Sequence, residues 1–207
     1  MTGSGDDRAL VMARIREALA PLETRAAMPK WSDESPVARK VLDAKDVVTA
    51  FTDQVAKASG RVFTDARALA RWLVERKETR GYCDPALLPE LEAALSEGLT
   101  IETAVERGRI DDLRFGITRA AGAIAETGTV ILDDATTSSR LAALAPWIHV
   151  AVVRRSTLHA RVADAVRALK SEMNVVWCTG PSKTADVEGI LIEGVHGPGE
   201  QITLLLA

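Results

Sequence analysis

WIHVAVVRRSTLHARVADAVRALKSEMNVVWC, residues 147–178, settles the fold class. Trp147 to Val153 is a continuous apolar run interrupted only by His149, the pattern of a strand buried on both faces. Ser156 is placed to cap a helix that carries Leu158, Val162, Ala165, Val166 and Leu169. Val175 to Cys178 is a second apolar run of strand length. Two such strands joined by a crossover helix predict a right-handed βαβ unit, and with it a three-layer α/β fold on a mostly parallel sheet. In such sheets ligands lie beyond the carboxyl ends of the strands.

From Cys178 the chain passes through Gly180-Pro181-Ser182 into a segment whose Val187, Ile190 and Leu191 have helical spacing. The spacing predicts strand, loop and helix in turn. Backbone N–H groups and the Ser182 and Thr184 hydroxyls would then gather at a helix N-terminus, where an anion is favoured. A helix start merely capped by Ser182 or Thr184, with Asp186 set against the dipole, fits the same residues. A polar turn, Val195 to Gly199, and a last apolar run, Ile202 to Leu206, follow.

Toward the N-terminus the alternation of strand and helix reaches back to Gly60. Strands are predicted at Arg61–Phe63, Tyr82-Cys83 and Val130–Leu132, and helices at Asp65–Lys77 and, after Pro85, at Ala86–Leu95. Ahead of this, Asp7–Ala20 and Val37–Ala58 read as helices, the second with Val41, Val48, Phe51 and Val55 as core candidates, separated by a loop holding Trp31. The expected division is a helical extension, residues 1–58, and an α/β domain, residues 59–207.

Composition narrows the function. With 207 residues, 47% hydrophobic and 27% charged, the chain is long enough for a real core. A formal net charge of −3 and a pI near 5.7 leave no basic footprint, so nucleic acid is not an expected partner. No apolar run approaches the ~20 residues of a membrane span, and the polar, acidic start is unlike a signal peptide; the expected location is the cytoplasm. Cys83 and Cys178 cannot supply the four thiolates of a usual iron–sulfur cluster, so none is expected in this chain, and the cofactor stays unidentified. The three histidines show no i, i+4 pairing, so no dedicated metal site is expected. The GxGxxG, GxxxxGK[ST] and GxSxG fingerprints are absent.

Three stretches can carry chemistry. In GITRAAGAIAETGT, residues 116–129, Thr118, Thr127, Gly128 and Thr129 surround Glu126, whose carboxylate sits among small and apolar residues before a buried strand. Partial desolvation would suit it to act as acid, base or nucleophile; a solvated turn with Glu126 bonded to the backbone is the other reading. The second stretch is Thr179 to Asp186, with Gly180, Pro181, Ser182, Thr184 and Asp186 as candidate ligand contacts. The third is Glu193 to Gly199, where His196 beside Gly197 and Pro198 is a candidate acid–base group, against the plainer role of a turn residue. His149 reads instead as a hydrogen-bonded core histidine, and His159 as an exposed helix residue. Arg140, after the hydroxyl run Thr136–Ser139, can clamp a carboxylate or phosphate, or simply make a surface ion pair.

At these same stretches the chain resembles the LUD-domain family. The matching pieces are Gly116-Ile117-Thr118, Ala123 to Thr129, Arg140-Leu141 ahead of His149 to Val153, Thr179 to Ser182 with Thr184-Ala185-Asp186, and Gly194 to Pro198. The resemblance covers roughly residues 113–206, and Lys183 is not carried over, because the motif matches around it. It implies a Rossmann-like fold similar to coenzyme A transferases and ribose-5-phosphate isomerase. It also implies a role in oxidising L-lactate to pyruvate, beside partner proteins that carry iron–sulfur clusters. By the same resemblance Glu126 would face the site and the Gly180–Asp186 turn would hold a small anionic ligand. Two alternatives stay open: a free-standing transferase or isomerase-like enzyme acting on a phosphorylated or coenzyme A-linked substrate, and a non-catalytic scaffold.

Overall fold

The computed structural model describes residues 4–21, 27, 46–169, 174–185 and 190–207. The chain divides into two units, residues 1–39 and 40–207. In the first, helix α1 (Ser4–Leu19) occupies the predicted helical segment, with Arg16 in its last turn, where the dipole favours a cation. The predicted loop position Trp31 and core position Val41 lie outside the described residues.

The second unit runs α2 (Val47–Lys57), β1 (Arg61–Phe63), α3 (Ala66–Glu75), β2 (Arg80–Cys83), α4 (Leu88–Leu95), β3 (Thr100–Glu102), β4 (Phe115–Arg119), β5 (Gly122–Ile124), β6 (Thr129–Asp133), α5 (Arg140–Leu144), β7 (Ile148–Arg154), β8 (Leu158–His159), α6 (Val162–Ala168), β9 (Val175–Thr179), β10 (Lys183–Ala185), β11 (Leu191–Glu193) and β12 (Glu200–Leu206). Its central sheet is parallel throughout, in the order β1-β12-β7-β4-β2-β3. The two most continuous apolar runs, β7 and β12, sit side by side near its middle, where both faces are covered. On one face Ile148, Val150, Ile202 and Leu204 pack against Leu69 and Leu73 of α3 and Leu91 and Leu95 of α4. On the other, Ala151, Val153 and Leu205 meet Phe51 and Val55 of α2, and Ala123, Val130 and Leu132 of a second sheet with the order β8-β5-β6-β9. Each fully buried Leu or Phe contributes about 2 kcal/mol. The result is three layers, and α2 shares the core of the α/β body.

Short polar side chains start the helices. Asp46 accepts the N–H groups of Val48 and Thr49, Asp65 that of Arg67 (2.9 Å), and Ser139 that of Ala142 (3.1 Å). Helix α5 lies so close to β4 that a Cβ on Gly116 would stand 1.9 Å from the Ala142 carbonyl oxygen. Only glycine fits there.

Three local expectations are corrected. The apolar run Val175–Cys178 does not follow β7 in the parallel sheet. As β9 it pairs antiparallel with β6, and its residues are half-buried or exposed, because it is an edge strand of the second sheet. Ser156 caps no helix. It lies in a 3-10 turn, Leu158 and His159 extend to pair with Ala123 and Ile124 of β5, and α6 starts only at Val162. His159 is therefore a half-buried strand residue. Finally, the chain after Ser182 enters strand β10, which pairs with β11 as a hairpin, Thr184 opposite Ile192. Val187 and Asp186 lie outside the described residues.

Candidate functional site

β12 begins just after Gly197-Pro198-Gly199 and β7 just after Trp147, and the Glu200 N–H donates to the Trp147 carbonyl (3.0 Å). The loops gathered here therefore lie at the amino edge of the parallel sheet, opposite to the predicted carboxyl edge. Gly180, Pro181 and Ser182 face His196, Gly197 and Pro198 across a hollow of about 220 Å³ that Leu144, Trp177, Cys178 and Gln201 help line. Gly180 has φ of 71°, and a Cβ on it would lie 2.0 Å from the Ala58 carbonyl oxygen, so the loop rests on the end of α2 only because it is glycine. The Ser182 N–H donates to the Pro198 carbonyl (2.8 Å), and the Gly194 N–H to the Ser182 carbonyl (2.9 Å). These bonds lock the two loops together, but they occupy the Ser182 N–H that the predicted anion cradle required. The hydroxyls of Thr127, Thr129 and Thr179 run in a chain at 2.6 Å per step and tie the Glu126–Thr129 turn to the same loop. Gly128 sits against Gln54 and Val55 of α2.

Behind the hollow lies a buried polar relay across three central strands. The His149 Nδ1 is 3.0 Å from Gln201 Oε1, and its Nε2 is 2.9 Å from Thr118 Oγ1. An amide oxygen can only accept, so Nδ1 carries the proton, and Nε2 accepts from the Thr118 hydroxyl. The Gln201 Nε2 in turn donates to the Ile202 carbonyl (3.3 Å). Burial pushes the His149 pKa down to about 4, against partial support from the Gln201 hydrogen bond, so the imidazole is neutral at pH 7. His149 thus orients the Gln201 side chain at the floor of the hollow.

Not every predicted contact joins them. The Glu126 carboxylate accepts the Val162 N–H (2.9 Å) and so caps α6. Arg140 pairs with Asp134 (2.6 Å) at the start of α5. Thr184 sits in the β10–β11 hairpin, where Lys183 reaches Ser59 Oγ (3.0 Å) and Glu193 (3.3 Å). No helix begins at Ser182 among the described residues, so the expected dipole is missing from this loop.

The carboxyl edge carries a second hollow of about 320 Å³, beyond the ends of β2, β4 and β7. Arg119 and Arg154, the last residues of β4 and β7, line it together with Thr136 and Thr157; Leu87 and Val152 supply apolar wall. The Arg119 Nε donates to Asp84 (2.6 Å), which is 1% exposed and also accepts the Ala86 N–H (2.9 Å). Burial works against the Asp84 charge, but hydrogen bonds from Arg119, Ala86 and Ser138 outweigh it and hold the carboxyl below its ordinary range. The Ser138 hydroxyl also meets that of Tyr82 (2.9 Å). Thr137 donates to the Arg119 carbonyl (3.0 Å), so the hydroxyl run Thr136–Ser139 closes over this edge. Arg154 forms a two-pronged pair with Glu90. Sequence reasoning missed both arginines. The available signal was an arginine directly ending a buried apolar strand, in FGITR and in IHVAVVR.

Neither cysteine is bridged; burial pushes the Cys83 thiol up to about 12, with the Asp84 charge adding to it, and the Cys178 thiol up to about 11. Among the described residues no three His, Cys, Asp or Glu side chains gather as metal ligands, and no helix is long and apolar enough to cross a membrane.

Comparison with known proteins adds five findings. The LUD domain profile matches residues 90–206. The chain is similar to Lactate utilization protein C of Deinococcus radiodurans, with 35% identity over 102 residues, 47% of this chain and 48% of that protein. Its counterpart in Shouchella clausii is 37% identical over 102 residues, 46% of this chain and 44% of that protein. The matched region thus spans about half the length of these two relatives. Lactate utilization protein C of Bacillus subtilis is 26% identical over 212 residues, 87% of each chain. The crystal structure of a DUF162 family protein from Deinococcus radiodurans has the same fold, with a TM-score of 0.58 and 22% identity over 78% of this chain and 96% of that one.

Proposed function

The chain belongs to the LUD domain family, and we propose that it serves lactate utilization as a cytoplasmic subunit taking part in the oxidation of L-lactate to pyruvate. The acid loses two electrons and two protons; the electrons pass to iron–sulfur clusters on partner proteins. In this reading the chain holds a small anionic ligand at an edge of its sheet and turns its amino edge toward those partners.

One observation carries the reading: stretches far apart in sequence, 179–182, 196–198 and Gln201 with its relay to Thr118, converge on one hollow with apolar side chains exposed around it. Trp177 and Leu144 line that hollow and stand partly exposed. Trp147, 44% exposed, packs over Gly194 and Gly199 beside the exposed Val195. Exposed aromatic and aliphatic side chains around a polar centre suit a protein interface. The names of the relatives, one of them matched over 87% of both chains, support the pathway.

The test is growth on L-lactate. Deletion of the gene should abolish it, and restoration with the intact chain should recover it; unimpaired growth of the deletion strain would sink the reading. In the restored strain the tagged chain should co-purify with iron-containing partners, and Trp177→Asp should release them.

A further inference from the structure

From the chemistry of the carboxyl-edge hollow we infer that it is a binding site for a small 2-hydroxy or 2-oxo carboxylate, with Arg119 as its principal anchor. The ligand class rests on the lactate reading above; the site itself rests on geometry.

The wall of this hollow carries two guanidinium groups, two hydroxyls and no carboxylate side chain. The carboxylates that pair with the arginines stand behind the wall: Asp84 is buried beneath Arg119, and Glu90 holds Arg154 from α4. Asp84 engages Arg119 through Nε alone, and among the described residues no other acceptor takes its terminal nitrogens. A planar guanidinium held from behind through Nε presents its remaining donors as a fixed fork, the arrangement that matches a carboxylate. The second arginine differs. Both prongs of Arg154 are engaged with Glu90, so it supplies charge to the wall more than free donors.

The rest of the wall suits the remainder of such an acid. Thr136 offers a hydroxyl able to donate or accept to the oxygen on C2, so alcohol and ketone are both accommodated, while the Thr157 hydroxyl, which donates to the Arg154 carbonyl (3.0 Å), is left to accept. Leu87, Val152 and the small Ala120 meet a short apolar substituent. A volume of about 320 Å³ holds such an acid together with ordered water or a second small reactant. The site lies where open parallel sheets hold their ligands.

The experiment is equilibrium binding to the purified full chain with three probes: pyruvate, L-lactate and inorganic phosphate. Two variants separate charge from space. Arg119→Lys keeps a cation beside Asp84 but removes the fork, and Ala121→Leu, at a further position that lines the hollow, fills it without changing charge. Circular dichroism and thermal unfolding establish that each is folded. Either acid should bind the native chain, about tenfold or more weakly to Arg119→Lys, and not measurably to Ala121→Leu. Acids that bind all three proteins equally would place their site elsewhere and overturn the assignment, while leaving the pathway reading intact. Phosphate binding in preference to both acids would overturn the carboxylate class. Absence of binding by every probe would overturn the site. Conversely, acid binding that depends on Arg119 in a chain dispensable for growth on L-lactate would keep the site and remove the pathway.

Discussion

Lowering the pH from 7 to 5 should weaken the fold through one residue, His149, and the size of the effect follows from its burial. The folded-state pKa of about 4 lies below the unfolded value of 6.5, so between these pH values the unfolded chain binds the proton and the native chain does not. Stability is therefore intact above about pH 6.5, falls as pH drops through that window, and stops falling near pH 4. Integration gives a loss of about 2 kcal/mol at pH 5 and about 3 kcal/mol below pH 4. Carboxylates titrate over the same range, so the contribution has to be isolated by difference. His149→Gln keeps a donor and an acceptor between Gln201 and Thr118 but cannot ionise. It should be less stable than the native chain at pH 7, because an amide does not fill the volume of an imidazole. Its further loss between pH 7 and pH 5, however, should be about 2 kcal/mol smaller than that of the native chain. Urea unfolding of residues 1–207 at the two pH values, native and variant, measures this. Equal losses in both proteins would refute the reasoning and mean that the imidazole accepts a proton in the folded state.

Asp84→Asn retains the shape of the buried side chain but leaves Arg119 without its counter-charge; because Arg119 is partly solvated, the expected loss is about 2 kcal/mol by urea unfolding, below the range for fully buried pairs. Gly116→Ala places a methyl group 1.9 Å from the Ala142 carbonyl oxygen, both on backbone that cannot yield cheaply, and should cost about 3 kcal/mol. Alkylation with iodoacetamide at pH 8, followed by mass spectrometry, should label Cys178 slowly and Cys83 only upon global unfolding, since burial raises both thiols and Cys83 is fully enclosed. Rapid labelling of Cys83 in the folded chain would contradict its enclosure.

What could be read from the sequence was local. Asp65 ahead of an apolar 3.6-residue repeat announces α3, and the apolar runs ending in Val153 and Leu206 announce central strands. Partners distant in sequence were not legible. The cap of α6 comes from Glu126, 36 residues upstream, so the search for a nearby cap settled wrongly on Ser156. The strand beside β7 is β12, some fifty residues on, while the nearer apolar run, β9, joins the other sheet. Period and composition cannot tell these pairings apart, because both runs are apolar and of strand length. The same limit applies to the sites. Gly180, Ser182, His196 and Gly197 were found as one group because turn residues advertise themselves, but their edge of the sheet depends on the direction of β9, which the spacing misassigned. Arg119 and Arg154 were passed over because a single arginine after a strand has meaning only once the strands are parallel neighbours with aligned ends.

The two hollows lie at opposite ends of the same strands, and this makes their roles separable. A strand of seven residues such as β7 spans about 20 Å. One small acid cannot touch both Arg119 at the carboxyl edge and Ser182 at the amino edge. Changes at the two places share no contact and should combine additively in their effect on acid binding. Ser182→Ala and His196→Ala should leave the affinity for pyruvate within about 0.5 kcal/mol of the native value, and each should give the same increment in an Arg119→Lys background. If the amino-edge residues instead hold the acid, Ser182→Ala and His196→Ala will weaken it strongly and Arg119→Lys will not. A third pattern, strong loss from both edges with a large coupling between them, would require the central strands to transmit a change. The buried relay from Gln201 through His149 to Thr118 is the one polar path among the described residues that starts at the amino-edge hollow and crosses toward β4. In that case His149→Leu, which removes both hydrogen bonds of the relay without touching either hollow, should abolish the coupling.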